Sequence, residues 1–356
     1  METVGILQPF IPHYREEFIN GINKTKQADT YCYYLNGKQT STVKNASTKS
    51  RSIKNIEVHE ILLYNPFPLL RNEYQTLILM LHFGHLTTWL LLLTKSIHRK
   101  KIILWGQGIS VKRYLKEEKS PSILLKWMIS LADSVWIYTE KEKNMWKQIY
   151  PDKQIISLNN TITGVERIVN FSNNQSKLEL KERYKIKQPI CFIFCARFNN
   201  NFRRVDLLDQ LIKNLDPQKY GFLIIGDGPV KPDFSNHNNV YDYGAVYDSD
   251  LKDDLFTMAD LYIQPGWVGL SVVEALAYGK PVLTFKRSEL VLQCVEYHYL
   301  KNKYNALLFE NFDEAIHQIN VLTNEEIIQL GINARKYVKE NLMMTNMVNQ
   351  AIKTLT

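Results

Sequence analysis

Short apolar runs separated by segments of helical period organise this chain. In the first half, Val4 to Leu7, Leu77 to Leu81, Ile102 to Leu104 and Ser134 to Tyr138 predict strands. In the second half, Pro189 to Ala196, Phe222 to Ile225, Ala259 to Ile263 and Val282 to Phe285 do the same. Helices are predicted from about Glu16, from Thr87 to the His98-Arg99-Lys100-Lys101 cluster, over Leu124 to Leu131 and from Arg203. Thr139 is the expected N-cap of a further helix, and others are predicted after Gly269, over Glu325 to Glu340 and over Met343 to Leu355. Asp260 is expected at a helix end, and Asp248-Ser249-Asp250 in an exposed turn. The run Leu77 to Leu93 is the one stretch long enough to suggest a membrane span. Two histidines and a central glycine interrupt it, so a strand, a loop and a helix are predicted instead.

Chemistry concentrates in Gln264 to Val282, QPGWVGLSVVEALAYGKPV. A buried strand leads into a glycine turn, and Gly269-Leu270-Ser271 open a helix that stops at Gly279, with Pro281 just beyond. Unpaired amides in a first helical turn, with the helix dipole behind them, suit a diphosphate. Glu274 lies one turn further along on the face of Leu270 and Ser271, where its carboxylate can accept both hydroxyls of a ribose.

Gly269-Leu270, Glu274-Ala275 and Gly279-Lys280-Pro281-Val282 resemble the signature of family 4 of the retaining nucleotide-sugar glycosyltransferases. That signature carries two glutamates eight positions apart, and Gly266 stands where the first would be. The Pro-Gly-x-Val-Gly-Leu spelling is similar to a bacterial surface-polysaccharide subgroup.

The resemblance implies an α/β protein of the GT-B architecture. Two Rossmann-like domains would face a central cleft, residues 1–162 binding the acceptor and 163–342 the nucleotide sugar, with 343–356 crossing back to the first. It also implies roles for individual residues. Arg197 and Arg203 would meet the donor diphosphate, Arg203 in place of a lysine, and with Glu274 they form the expected catalytic set. Gly226, Gly244, Val246, Gly266, Trp267, Gly269, Leu270 and Ser271 would line the donor site. His13, Tyr14, Arg15 and Gln107 would face the acceptor, and Gln107 stands where many relatives have a histidine. No metal and no cofactor is implied beyond a UDP- or GDP-linked sugar as donor substrate.

Charge adds a partner. Residues 1–163 hold 22 Lys/Arg against 13 Asp/Glu, a surplus of nine, while the remainder holds 22 against 23. With no nucleic-acid motif present, that basic half predicts an anionic membrane surface rather than nucleic acid, and the resemblance implies a lipid-linked or other saccharide acceptor there. The segment Lys38 to Lys54, with five Lys/Arg and no acid, is expected to be a mobile loop that either meets lipid or a lipid-linked diphosphate or is only solvated. The four cysteines lack metal-ligand spacing, and no secretory signal is evident. The expected place is the cytoplasmic face of the inner membrane.

Two other readings share these features. A nucleotide-sugar epimerase uses the same architecture, and a non-catalytic binding subunit would tolerate the missing acid at Gly266. A dehydrogenase is the least expected reading, because no Gly-x-Gly-x-x-Gly follows the first strand.

Overall fold

A computed structural model describes residues 3–33 and 49–355. The chain divides into two compact units, residues 1–164 with 343–356, and residues 165–342. Each is built on its own parallel sheet.

In the first unit the strands are β1 (Thr3–Gln8), β2 (Gln27–Cys32), β3 (Arg51–Ser52), β4 (Asn55–Val58), β5 (Ile61–Tyr64), β6 (Tyr74–Met80), β7 (Lys101–Gly106), β8 (Ser134–Ile137) and β9 (Gln154–Ser157). The main sheet runs β3-β2-β1-β6-β7-β8-β9, while β4 and β5 pair separately as an antiparallel hairpin. Around them stand α1 (Glu16–Thr25), α2 (Leu86–Leu93), α3 (Lys95–His98), α4 (Tyr114–Glu117), α5 (Ile123–Leu131) and α6 (Glu140–Ile149). Central strands such as β7 and β8 bury every residue from Ile102 to Gly106 and from Ser134 to Ile137. This double-sided burial explains why they read as uninterrupted apolar runs.

The second unit holds α7 (Val165–Val169), α8 (Lys177–Arg183), β10 (Ile190–Cys195), α9 (Val205–Asn214), β11 (Tyr220–Ile225), β12 (Val240–Asp242) and α10 (Ser249–Met258). After these come β13 (Leu261–Ile263), α11 (Ser271–Ala277), β14 (Val282–Phe285), β15 (Ala306–Phe309), α12 (Phe312–Val321) and α13 (Asn324–Asn341). Its sheet is parallel throughout, in the order β12-β11-β10-β13-β14-β15. The order is that of a doubly wound Rossmann fold, with its reversal between β10 and β13. A last helix, α14 (Met344–Ile352), returns to the first unit and packs on α1, where Val348 lies against Gly21. Two Rossmann-like units with a returning C-terminal helix are the GT-B chain organisation.

Several sequence expectations need correcting. The helix expected from Arg203 begins at Val205, because Arg203 closes a 3-10 turn and Arg204 takes a left-handed conformation at φ 52°. The basic cluster after α3 does not present all its charge to solvent. Lys100 donates to the carbonyls of Arg71 and Tyr74, each at 2.6 Å, and Lys101 donates to Thr354 at 2.7 Å. Those orphan carbonyls need donors more than the surface needs charge. Asp248 is no turn residue but the N-cap of α10, accepting from Leu251 N–H at 2.8 Å. Thr139 occupies the N-cap of α6, yet its hydroxyl donates to Glu142 and makes no cap hydrogen bond. Asp260 does not end a helix; it accepts from Cys191 N–H at 2.8 Å and pairs with Lys177, tying the start of β10 to α8. Of the basic segment, residues 38–48 lie outside the described residues, whereas Arg51–Ser52 form an edge strand against Tyr31 and Cys32.

Lys280, at the exit of α11, donates to Ala259 O at 2.7 Å. Burial pushes its pKa down to about 8; Lys177 and Arg335 add to the shift and Asp260 opposes it. Between about 8 and the ordinary lysine value, the unfolded chain therefore holds a proton that the folded chain lacks. Stability is expected to rise with pH across that window, and Lys280→Met should flatten the rise in denaturant titrations run at stepped pH.

Candidate functional site

In a doubly wound sheet, loops leaving two strands in opposite directions open a crevice where the strand order reverses. In the second unit those are the loops after β10 and β13, and they carry Arg197, Arg203 and the Gly266 to Ser271 turn. The two loops are stitched together. Gly266 N–H donates to Arg203 O at 3.1 Å, and the rings of Phe202 and Trp267 stack at 4.8 Å. Trp267 adopts a left-handed φ of 53°, a conformation that a bulky residue holds only under outside constraint.

That constraint comes from two buried glutamines. Gln264 accepts from Tyr262 OH at 2.7 Å and Ser271 Oγ at 2.9 Å, and its amide donates to the carbonyls of Trp267 at 2.7 Å and Gly266 at 3.2 Å. Gln293 accepts from Val268 N–H at 2.8 Å while donating to Phe285 O at 2.8 Å and Thr284 Oγ1 at 3.0 Å. Trp267 N–H is held by Leu292 O at 2.7 Å. With both ends of each amide committed, the turn is fixed before any ligand arrives.

Past the turn, the first hydrogen bonds run from Val272 N–H to Gly269 O at 3.1 Å and from Val273 N–H to Leu270 O at 3.0 Å. The N–H groups of Leu270 and Ser271 thus precede the helical ladder. A Cβ built on Gly269 would meet only Cys294 Sγ, at 3.9 Å, so the backbone here can be closely approached. The same construction at Gly266 meets Phe202 O at 2.7 Å and Arg204 Cγ at 3.0 Å. Gly266 is where the loop after β10 crosses the loop after β13, and no side chain fits there.

The charges divide unevenly. Burial lowers the pKa of Arg203, nearby Tyr262 and Cys294 offset part of that, and Arg197 repels it further. Among the described residues, Arg203 Nε has no hydrogen-bond partner. Glu274 does have one, the Lys252 ammonium at 2.7 Å. Burial works against the Lys252 charge, but Cys195 and Glu274 outweigh it and raise its pKa. Lys252 was invisible in the sequence, being one lysine in a polar helix. The tertiary fold alone sets it opposite Glu274.

Gly226 and Gly244, from the loops after β11 and β12, are joined by Gly226 N–H to Gly244 O at 2.7 Å. Gly226 has φ 137°, and a Cβ there would lie 2.0 Å from Ala196 O. Because β12 ends at Asp242, Gly244 and half-buried Val246 belong to the following loop, which Asp227 braces by accepting from Ala245 N–H at 3.0 Å.

In the first unit the reversal falls between β1 and β6. The loop after β1 contains the 3-10 turn His13–Arg15, with His13 exposed and its ring edge-on to Tyr14 at 5.6 Å. Arg15 turns inward: it donates to Gln8 Oε1 at 2.7 Å and to Tyr138, and lies over the Trp105 ring at 4.5 Å. Gln107 follows β7 and is half-buried. The loop after β6 brings His82 and His85 to the same crevice, their rings 4.8 Å apart. Burial lowers both pKa values, that of His85 to about 4. In the sequence these two stand out only as interruptions of an apolar run. Among the described residues no group of three or more His, Cys, Asp or Glu side chains is placed to hold a metal ion.

Residues 189–323 match the family of glycosyl transferases group 1. That match spans the second unit from β10 through α12, and so contains both loops of the crevice. No curated protein matches the chain by sequence. Solved structures share the whole fold at low identity. Anabaena Alr3699/HepE in complex with UDP is 14% identical with a TM-score of 0.69, covering 100% of this chain and 99% of that one. The lipopolysaccharide outer core galactosyltransferase WaaB is 13% identical with a TM-score of 0.65, covering 100% of each. A glycosyltransferase from Rickettsia africae ESF-5 is 15% identical with a TM-score of 0.63, covering 99% and 97%.

Proposed function

We propose that the protein is a retaining glycosyltransferase. It moves a sugar from a UDP- or GDP-sugar to a lipid-linked saccharide at the cytoplasmic face of the membrane, in surface polysaccharide synthesis. The carrying observation is the convergence, at the β10/β13 reversal, of Arg203 without a partner at Nε, the open turn at Gly269 and the Glu274 carboxylate. The UDP in the HepE complex and the galactosyl transfer named for WaaB are in keeping with it.

In this reading the diphosphate lies against the amides of Leu270 and Ser271, with Arg197 and Arg203 beside it, and Glu274 accepts from the ribose hydroxyls. The bond from the anomeric carbon to the diphosphate oxygen breaks. The acceptor oxygen bonds to that carbon on the same face, and its proton passes to the departing diphosphate. Cations meeting charge as it develops are the main protein contribution. No protein nucleophile is required, which agrees with a glycine at position 266. The acceptor would be received by His13, Tyr14 and Gln107, with Arg15 holding the loop from behind.

The testing experiment is thermal stability against UDP, GDP, CMP and NAD, for wild type and Glu274→Ala. A nucleotide at about 100 times its dissociation constant adds about 2.7 kcal/mol, a midpoint shift of several degrees. A shift with UDP or GDP that disappears in Glu274→Ala is expected. The absence of any shift would overturn the donor-site assignment and leave the binding-subunit reading.

A further inference from the structure

The hairpin β4–β5 has its apolar face outward. Its register pairs Ile56 with Leu63 and Val58 with Ile61, and all four side chains are exposed, Ile56 at 67%. The alternate residues Leu62 and Tyr64 are the buried ones. Helix α2, clamped beneath the hairpin by Thr87 to both main-chain groups of Tyr64, repeats the pattern. It buries Leu91 and Leu92 in the core, while Leu86, Leu90, Leu93 and, in α3, Ile97 form an outer stripe at spacings of four, three and four. Leu93 is 66% exposed and Ile97 79%. Next to it, α5 buries Leu125, Met128 and Ile129 but exposes Ile123 and Trp127, the latter at 59%. Lys95 fastens α3 to the end of α5 through Leu131 O at 3.2 Å and Asp133 at 2.7 Å. Three adjoining elements thus turn a second apolar face to solvent, more than scattered surface residues explain.

We infer that this face of the first unit inserts into the interfacial layer of an anionic lipid bilayer. It deepens the lipid-linked acceptor reading by naming the surface that meets the lipid. Charge decides for lipid over a second copy of the chain. Between Leu93 and Trp127 stand nine Lys/Arg and two Glu. With Lys100 and Lys101 turned to internal carbonyls, Lys95 paired with Asp133 and Arg113 with Glu117, the exposed cations are Arg99, Lys112, Lys116 and Lys119, and an isologous dimer would set these against their own kind. An anionic headgroup layer neutralises them, and aliphatic side chains with Trp127 at its level suit the acyl boundary. Glu57, on β4, and Glu60, in the hairpin turn, are the exceptions among these charges. No helix among the described residues is long and apolar enough to cross a membrane, so the contact is with one leaflet's surface. Placement also serves the chemistry. Leu62 N–H donates to Gly84 O at 2.9 Å, so the hairpin is anchored on the loop after β6, at the crevice assigned to the acceptor.

The test is co-sedimentation of the full chain with vesicles of phosphatidylcholine alone and mixed with phosphatidylglycerol, containing neither donor nor acceptor. Wild type should bind the mixed vesicles, and Leu93→Ser combined with Ile97→Ser should weaken that binding by about tenfold or more. Trp127→Phe should remove a blue shift of tryptophan emission seen on binding. These exposed variants should keep the wild-type melting temperature and the nucleotide shift, so a vesicle failure and a donor-site failure are separate results. No vesicle binding by wild type, or equal binding by the double variant, would overturn the inference. So would a concentration-dependent dimer dissolved by the same substitutions without vesicle binding, which would assign the face to a second copy.

Discussion

Arg203→Met is expected to slow sugar transfer by about 10² to 10³, equivalent to about 2.7 to 4 kcal/mol, while leaving the folded protein as stable as wild type or more so. The two effects follow from one arrangement. Burial lowers the pKa of Arg203, Arg197 repels it, and its Nε has no partner among the described residues. A group held in that state costs free energy in the absence of ligand, and methionine fills similar volume without the charge. In the proposed reaction a diphosphate would supply the missing counter-charge, most of all as the leaving group develops. Arg203→Lys should recover part of the rate, since it restores charge without the planar fork. Transfer rates read beside urea midpoints test this. A rate within threefold of wild type, or a loss of stability matching the loss of rate, would make Arg203 a structural residue.

Lys252 qualifies the role of Glu274. The carboxylate is not idle before ligand arrives, because the ammonium 2.7 Å away fixes its position. Glu274→Ala would therefore leave a half-buried cation without its carboxylate as well as remove an acceptor. Comparison with Glu274→Gln separates the two, since the amide keeps an acceptor oxygen in place but loses the charge that holds Lys252.

Sequence reading found the elements whose signal is local. Strands such as β7, β10 and β14 are buried on both faces, so their apolar runs stand out, and Gly279, at φ 72°, marks the end of α11 as its type suggests. What it missed depends on neighbours. Gln264 and Gln293 are buried polar residues with no periodic signature, yet they fix the turn on which the site is built. The hairpin β4–β5 escaped notice because Ile56, Val58, Ile61 and Leu63 alternate outward rather than toward the core. Lys100 enters the charge count of the basic half like any other lysine, because the carbonyls of Arg71 and Tyr74 that capture it are distant in sequence. The candidate site was legible as a set of residues near one strand-turn-helix unit. That the loops of Arg203 and Gly266 interlock became visible only in the sheet order.

Gly266→Glu, which would restore the glutamate that the resembled signature carries, is expected to abolish nucleotide binding and destabilise the protein by about 2 to 4 kcal/mol. The first obstacle is backbone. A Cβ at residue 266 would lie 2.7 Å from Phe202 O, which cannot swing aside as a side-chain tip can, and Arg204 Cγ closes the other side at 3.0 Å. Relief requires the loop after β10 to move away, breaking the bond from Gly266 N–H to Arg203 O and the Phe202–Trp267 stack. Arg203 then leaves the turn at Gly269, so the two halves of the proposed diphosphate site would separate. Gly266→Ala should show most of the same stability loss, because the clash begins at Cβ, and a melting temperature within a degree or two of wild type for the alanine variant would refute the account. If instead Gly266→Glu kept its stability and transferred faster, the loop crossing would be adaptable and the missing acid a true catalytic deficit. The crossing as it stands predicts the reverse: the glycine is a requirement of this loop pairing, and the chemistry has to proceed without a carboxylate at that position.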